Sequence, residues 1–271
     1  MAAVMLRGAS AEALAGLSES LGKGGTLADA AKAGEELFGV VRVLRSDAAL
    51  RRVLTDSSVP VEARTGLAET VFGSAVGDKT LNIVSDAAGR RWTASGDLPK
   101  ALEQIAVLST VRSAGKDGST VGDELFAVRR MIDGNPELRS ALSDQTRSVE
   151  DRAGLLDGLL EGNVHPATML LVREGVSRGQ GTVGAVLEHY LELAASALDE
   201  AVATVHTARE LTASEKDRLV TALSKQYDSQ VQLHVVVDPE LMGGMRIQIR
   251  DDVIDGTVAG RLDDARRKLV S

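Results

Sequence analysis

The residues of this chain that could do chemistry are few, and their spacing serves it badly. Gly175-Val176-Ser177-Arg178-Gly179 fits the GxSxG pattern of a hydrolase nucleophile elbow, where a strained turn between a strand and a helix lifts the serine. The stretch ahead of it, Met169–Val172, is a helical apolar stripe instead of a strand, and the equivalent residues of an internal repeat, Ala87-Ala88-Gly89-Arg90-Arg91, hold no serine. The reading is a helix that ends near Gly179. His165, His189, His206 and His234 are separated by 24, 17 and 28 residues and form no compact ligand set. Lys23 lies among glycines, but Gly24 follows it and Leu17 stands where a phosphate loop needs its first glycine. Asp251-Asp252 and Asp263-Asp264 read as turn formers and solvated helix faces. The chain has no cysteine, which excludes disulfides, thiolate metal sites and cysteine nucleophiles. The expectation is a non-enzyme with no catalytic, cofactor-binding or metal-ligating residues and no cofactor.

The elements around these residues are built from aliphatic side chains. Six aromatics in 271 residues (Trp92, Tyr190, Tyr227, Phe38, Phe72, Phe126) are too few for a base-stacking platform. A net charge of −8, from 31 Lys+Arg against 39 Asp+Glu, disfavours general phosphate binding. The core must be Leu, Val, Ala and Ile, which suits helix packed on helix. The longest run free of Asp, Glu, Lys and Arg, Gly162 to Val172, is 11 residues, short of the roughly 18–20 that span a bilayer. The N-terminal residues lack a signal-peptide pattern, so a soluble, cytosol-facing protein is expected, with membrane association only through a partner.

An internal repeat organises most of the chain. Gly34–Leu67 matches Gly122–Leu155 at a constant offset of 88, with 15 identities in 34 positions. They include Gly34/Gly122, Glu36/Glu124, Phe38/Phe126, Arg51/Arg139, Asp56/Asp144 and Arg64/Arg152, so shared helical composition does not account for the match. Thr80/Thr168, Val84/Val172 and Arg90/Arg178 hold the same offset, and after a three-residue slip Leu102-Glu103 meets Leu187-Glu188. Each copy reads as short helices: Leu37, Val41 and Leu44 form one stripe, and Asn135-Pro136 opens another as cap and first-turn proline. A unit of about 90 residues with five or six helices is a bundle. The Gly/Ser-rich run Ser113–Ser119 reads as a linker between two bundles, with a weaker seam at Gly22–Gly25.

The period changes from Ala201. Val202, Thr204 and Val205 suggest a first strand, and Thr212-Ala213-Ser214-Glu215 fits a capping box ahead of a helix with Leu219, Leu223 and Tyr227 on one face. Val231, Leu233, Val235 and Val237 alternate with polar residues, as do Met245, Ile247 and Ile249, which predicts two strands. Gly243-Gly244 and Asp255-Gly256-Thr257 read as turns, and Val258, Leu262, Ala265 and Leu269 as one face of a final helix. The segment is a small α/β module.

Here the chain resembles the δ subunits of rotary ATP synthases, the family that includes the mitochondrial oligomycin-sensitivity-conferring protein. The resemblance rests on Val237-Asp238-Pro239-Glu240-Leu241-Met242-Gly243-Gly244-Met245-Arg246-Ile247, then Asp251-Asp252-Val253-Ile254-Asp255-Gly256-Thr257-Val258 and Arg261-Leu262. Arg250 stands where the family usually has Gly, and Thr257 where it usually has Ser. With the repeat, the resemblance covers about Gly122–Ser271. The additional N-terminal bundle is similar to the long form found in high-GC Gram-positive bacteria.

The resemblance implies a mainly α protein: a first helical bundle over 1–112, a second over 113–205 and an α/β module over 206–271. It implies a non-catalytic stator subunit of the proton-translocating ATP synthase, gripping α-subunit N-terminal helices and engaging the peripheral stalk, whose partner there is b subunits or a fused b-type chain. It places the chain peripherally on the cytoplasmic side of the cell membrane, without nucleic acid. The second bundle is expected to hold the α helices. The alternative is a generic helical adaptor outside ATP synthase, which the bundles alone do not reject.

Overall fold

The computed structural model describes residues 6–21, 26–144, 146–178, 181–197, 200–227, 230–239, 241–249 and 252–258. The Lys23 loop, the Gly22–Gly25 seam, Gly179, Arg250-Asp251 and the expected final helix beyond Val258 lie outside them. The chain forms two compact units, Met1–Ala194 and Ala195–Ser271.

The first unit is helical: α1 (Ala9–Leu21), α2 (Leu27–Ser46), α3 (Ala48–Thr55), α4 (Val61–Phe72), α5 (Asp78–Gly89), α6 (Asp97–Ser113), α7 (Gly118–Gly134), α8 (Pro136–Ser143), α9 (Val149–Leu160), α10 (Pro166–Ser177) and α11 (Val183–Ala197). Helices α3, α4 and α5 reappear as α8, α9 and α10 with both ends displaced by 88 residues. The small-scale chemistry repeats as well. Asp47 accepts from the N–H groups of Ala49 and Leu50 to cap α3, and Asn135 accepts from Leu138 to cap α8. Asp56 accepts from the amide and hydroxyl of Ser58 in one α3–α4 turn, and Asp144 does the same with Thr146 in the other.

Helix α6 belongs to both copies. After the slip it is the counterpart of α11, and at the unslipped offset it is the counterpart of α1: buried Ser10, Ala13 and Leu17 fall on Leu98, Ala101 and Ile105. Shared in this way, α6 is buried nearly all round, with Leu102, Glu103, Ala106, Val107, Thr110 and Val111 also inside. Its approach to α2 is close. A Cβ on Gly34 would stand 2.3 Å from Thr110 Oγ1 and 3.3 Å from the Ala106 carbonyl, which fixes glycine there.

The expected division at 112/113 therefore meets a helix common to both copies, and residues up to 194 form one unit. Nor is Ser113–Ser119 a linker. Ser113 Oγ donates to the Thr110 carbonyl at 2.6 Å, Gly115 turns the chain at φ +58° in a single 3-10 turn (Gly115–Asp117), and α7 begins at the buried Gly118. The small residues serve a tight corner.

Among the described residues, the second unit is a four-stranded sheet with one crossover helix: β1 (Glu200–Thr207), α12 (Ala213–Tyr227), β2 (Gln230–Val237), β3 (Met245–Ile249) and β4 (Asp252–Asp255), in spatial order β2-β1-β3-β4. β1 and β2 run parallel across α12, while β3 lies antiparallel to β1 and to β4. Ala203, Val205, Leu211, Leu223, Val231, Ile247 and Ile249 form its core, with Leu219 and Tyr227 of α12 packed on them. The boundary expected at 205/206 falls inside β1, because the change of period at Ala201 marks the transition and the helix cap at Thr212 comes later. His234, expected on a polar face of β2, is only 3% exposed.

Candidate functional site

Ser177 closes α10. Its Oγ donates to the Arg173 carbonyl one turn back at 2.9 Å, as serines at helix ends do. A helix, not a strand, delivers it, so the geometry of a nucleophile elbow is absent. The histidines are scattered: His165 caps α10, its Nδ1 accepting from the Ala167 N–H at 3.1 Å; His189 lies on α11, His206 on β1 and His234 on β2. No three His, Asp or Glu side chains among the described residues converge on a point that could hold a metal. None of the described helices is long and apolar enough to cross a membrane.

The repeat builds two equivalent anchor points. Glu36 on α2 accepts from the Gly77 N–H at 2.9 Å and Thr80 Oγ at 2.6 Å, holding the N-terminus of α5. Glu124 on α7 accepts from the His165 N–H at 2.8 Å and Thr168 Oγ at 2.5 Å, holding the N-terminus of α10. An anion at a helix N-terminus satisfies free N–H groups and the dipole together. Partial burial pushes the Glu36 carboxyl up, but the Thr80 and Gly77 donors and nearby Lys32 outweigh it and hold it below the usual value. Arg64 reaches the other helix ends. Buried at 3% exposure, its guanidinium donates to the carbonyls of Ala88 at 2.6 Å, Arg90 at 2.8 Å and Gly89 at 3.2 Å. Arg64 also donates to the Leu54 carbonyl at the end of α3 at 3.4 Å, and Arg152 makes the equivalent of that bond, to the Leu142 carbonyl at 3.2 Å.

Where the copies meet, a cavity of about 280 Å³ is lined by Phe38, Val41, Arg42, Arg45, Glu103 and Tyr190 among others. Glu103 is 2% exposed. It accepts from Arg45 Nη2 at 2.6 Å and Tyr190 Oη at 2.8 Å, and Arg178 Nε lies 3.5 Å away. Burial, then the Glu103 charge beside it, pushes the Tyr190 phenol well above its ordinary value. Glu103 is the residue that the sequence pattern left without a role. The signal was present, because the Leu-Glu match to Leu187-Glu188 marks a carboxylate on an otherwise apolar helix face.

In the second unit the two halves of the C-terminal motif close on each other. Gly244, at φ +80°, approaches so near that a Cβ would stand 2.4 Å from the Gly256 carbonyl. The Gly256 N–H donates to the Met245 carbonyl at 2.9 Å and the Val258 N–H to the Gly243 carbonyl at 3.1 Å. Asp255 accepts from Thr257 Oγ at 2.6 Å and its N–H at 2.9 Å. These hydroxyl and amide donors hold its carboxyl below the ordinary range. Threonine thus supplies the hydroxyl that the resemblance places there as serine. Beside this turn, a largely apolar cleft of about 540 Å³ opens between Ala208, Leu211, Leu219, Ala222 and Gly243-Gly244.

What these features define is a scaffold: two helical copies with matched anchors, then a sheet module closed by a glycine-aspartate turn. The model of the ATP synthase delta (OSCP) subunit family matches residues 105–269, and the chain belongs to that family. The match opens within α6 and runs through the second copy and the sheet module. The chain is 46% identical over 266 residues to an ATP synthase subunit delta of Nocardioides sp., covering 97% of each. It is 39% identical over 269 residues to that of Streptomyces avermitilis, covering 97% of this chain and 98% of the relative. These relatives share the long form, first copy included. A chain of the Toxoplasma gondii mitochondrial ATP synthase hexamer overlays with a TM-score of 0.36 at 20% identity, over 61% of this chain and 96% of that one.

Proposed function

We propose that this chain is a stator subunit of a rotary ATP synthase that does no chemistry itself. A turning rotor exerts a reaction torque on the catalytic head, and the head must be held still for proton flow to drive synthesis. The helical unit takes amphipathic N-terminal helices of α subunits in a helix-in-groove mode, and the sheet module engages the b stalk. Linked contacts of moderate strength then give a long-lived attachment through high effective concentration. The chain sits peripherally on the cytoplasmic face of the membrane, through its complex. The observation that carries this reading is the full-length likeness to long-form delta subunits, together with a C-terminal turn whose two motif halves bond to each other.

The second copy, continuous with the sheet module as in single-bundle members of the family, is the holder of the α helices. The cleft beside Gly243-Gly244 is the surface offered to the stalk. Cross-linking mass spectrometry on the intact, membrane-extracted complex tests both. Links from α N-termini to residues 113–194 and from b to residues 207–245 are expected. Links from α confined to residues before 113 overturn the choice of copy, and co-purification with neither α nor b overturns the function.

A further inference from the structure

Two oppositely charged residues one turn apart pair differently in the two copies. In the first, Arg90 at the end of α5 pairs with Asp86 on the same helix, Nη2 to Oδ2 2.9 Å and Nε to Oδ1 3.1 Å. Their equivalents at the end of α10, Arg178 and Glu174, have the same spacing and the favourable order, acid before base. Both reach elsewhere. Glu174 accepts from Arg42 Nη1 of α2 at 2.5 Å, and Arg178 turns to Glu103 of α6 at 3.5 Å.

Glu103 already holds Arg45 of α2 and Tyr190 of α11, and the Tyr190 ring lies against Phe38 of α2 with centroids 6.3 Å apart. One buried carboxylate thus gathers side chains from α2, α6, α11 and the end of α10, and a second ion pair on the rim ties α2 to α10. A charge buried at 2% exposure is tolerable only with its partners in place.

We propose that this cluster is a joint that fixes α2 of the first copy against α10 and α11 of the second, so that the helical unit moves as one lever and not as two bundles flexing about their shared helix. The joint is cooperative. Removing Arg42 frees Glu174 to take Arg178 in the local pair that the first copy displays, and this draws Arg178 away from Glu103. The joint belongs to the chain and is independent of which partners the chain holds.

The absence of native cysteine allows a clean test. Spin labels at Arg52→Cys on α3 and Ser140→Cys on α8, exposed and equivalent in the repeat, report the distance distribution between copies in the full-length chain. A single narrow distribution is expected. Arg42→Ala should broaden it, Arg42→Ala with Glu103→Gln should at least double its width, and adding Glu174→Ala to Arg42→Ala should narrow it again by removing the competitor for Arg178. An unchanged width in a folded Arg42→Ala/Glu103→Gln variant overturns the joint. Should that variant lose its helical circular dichroism, the other pair decides: narrowing by Glu174→Ala supports the proposal, and equal widths refute it.

Discussion

Arg64 and Arg152 occupy the same place in the repeat but carry different loads. Arg64 satisfies carbonyls at the ends of both α3 and α5, whereas Arg152 is bonded to the end of α8. Buried carbonyls left without a donor cost about 1–3 kcal/mol each, with part recovered by relaxation. Arg64→Ala should therefore lower stability by about 2–4 kcal/mol, and Arg152→Ala by roughly half of that. Urea melts of the two variants compare them directly, and equal midpoint shifts would contradict the assignment. A pH effect belongs to this scale too. Glu215 in the capping box of α12 is lowered from 4.5 to about 2, first by Arg209, then by the amide and hydroxyl of Thr212. A carboxylate depressed on folding contributes in full above its unfolded value and loses that contribution as pH falls through the folded one. Amide protection in α12 should hold from neutrality to about pH 4.5 and decline toward pH 2, and Glu215→Gln should flatten that decline; hydrogen exchange across this range reads both.

At the scale of elements, the glycines separate packing from propensity. Gly34 lies where α2 and α6 nearly touch, so Gly34→Ala forces the helices apart and should cost about 1–3 kcal/mol. Gly66 on α4 and Gly154 on α9 face open space. There alanine gains helix propensity without a clash, and each substitution should stabilise by about 0.5–1 kcal/mol. Thermal melts that moved all three variants in the same direction would refute this account. The helices themselves were legible in the sequence because caps and apolar stripes are local: Asn135-Pro136 opens α8 and Thr212–Glu215 boxes α12 as their spacing predicts. Two strands, β2 and β3, were legible from alternation, and in the structure Val253-Ile254 pairs with β3 as β4. The Glu103 cluster was not legible, since its members lie up to 152 residues apart, from Phe38 to Tyr190, and only the packing of four helices brings them together.

The whole molecule is where sequence pattern was least able to decide. A repeat at constant offset implies two copies, and two copies suggest two bundles with a seam. Nothing local reveals that α6 closes one copy and opens the next, because the sharing shows only as burial on both its faces. Sharing also has a consequence for truncation. A cut at 112/113 leaves α6 with the first copy and strips it from the second, so residues 113–271 should expose apolar surface and bind a hydrophobic dye strongly, whereas residues 97–271, which retain α6, should bind it far less. The family match that opens at residue 105, inside that helix, fits the same boundary. The role proposed for this chain is to hold a motor's head against its rotor. It is tested most directly with inverted membrane vesicles stripped of this subunit and then resupplied with it, following ATP made under an imposed proton gradient. Synthesis should fall to background on stripping and return in proportion to the subunit added back. Undiminished synthesis in stripped vesicles would contradict the account.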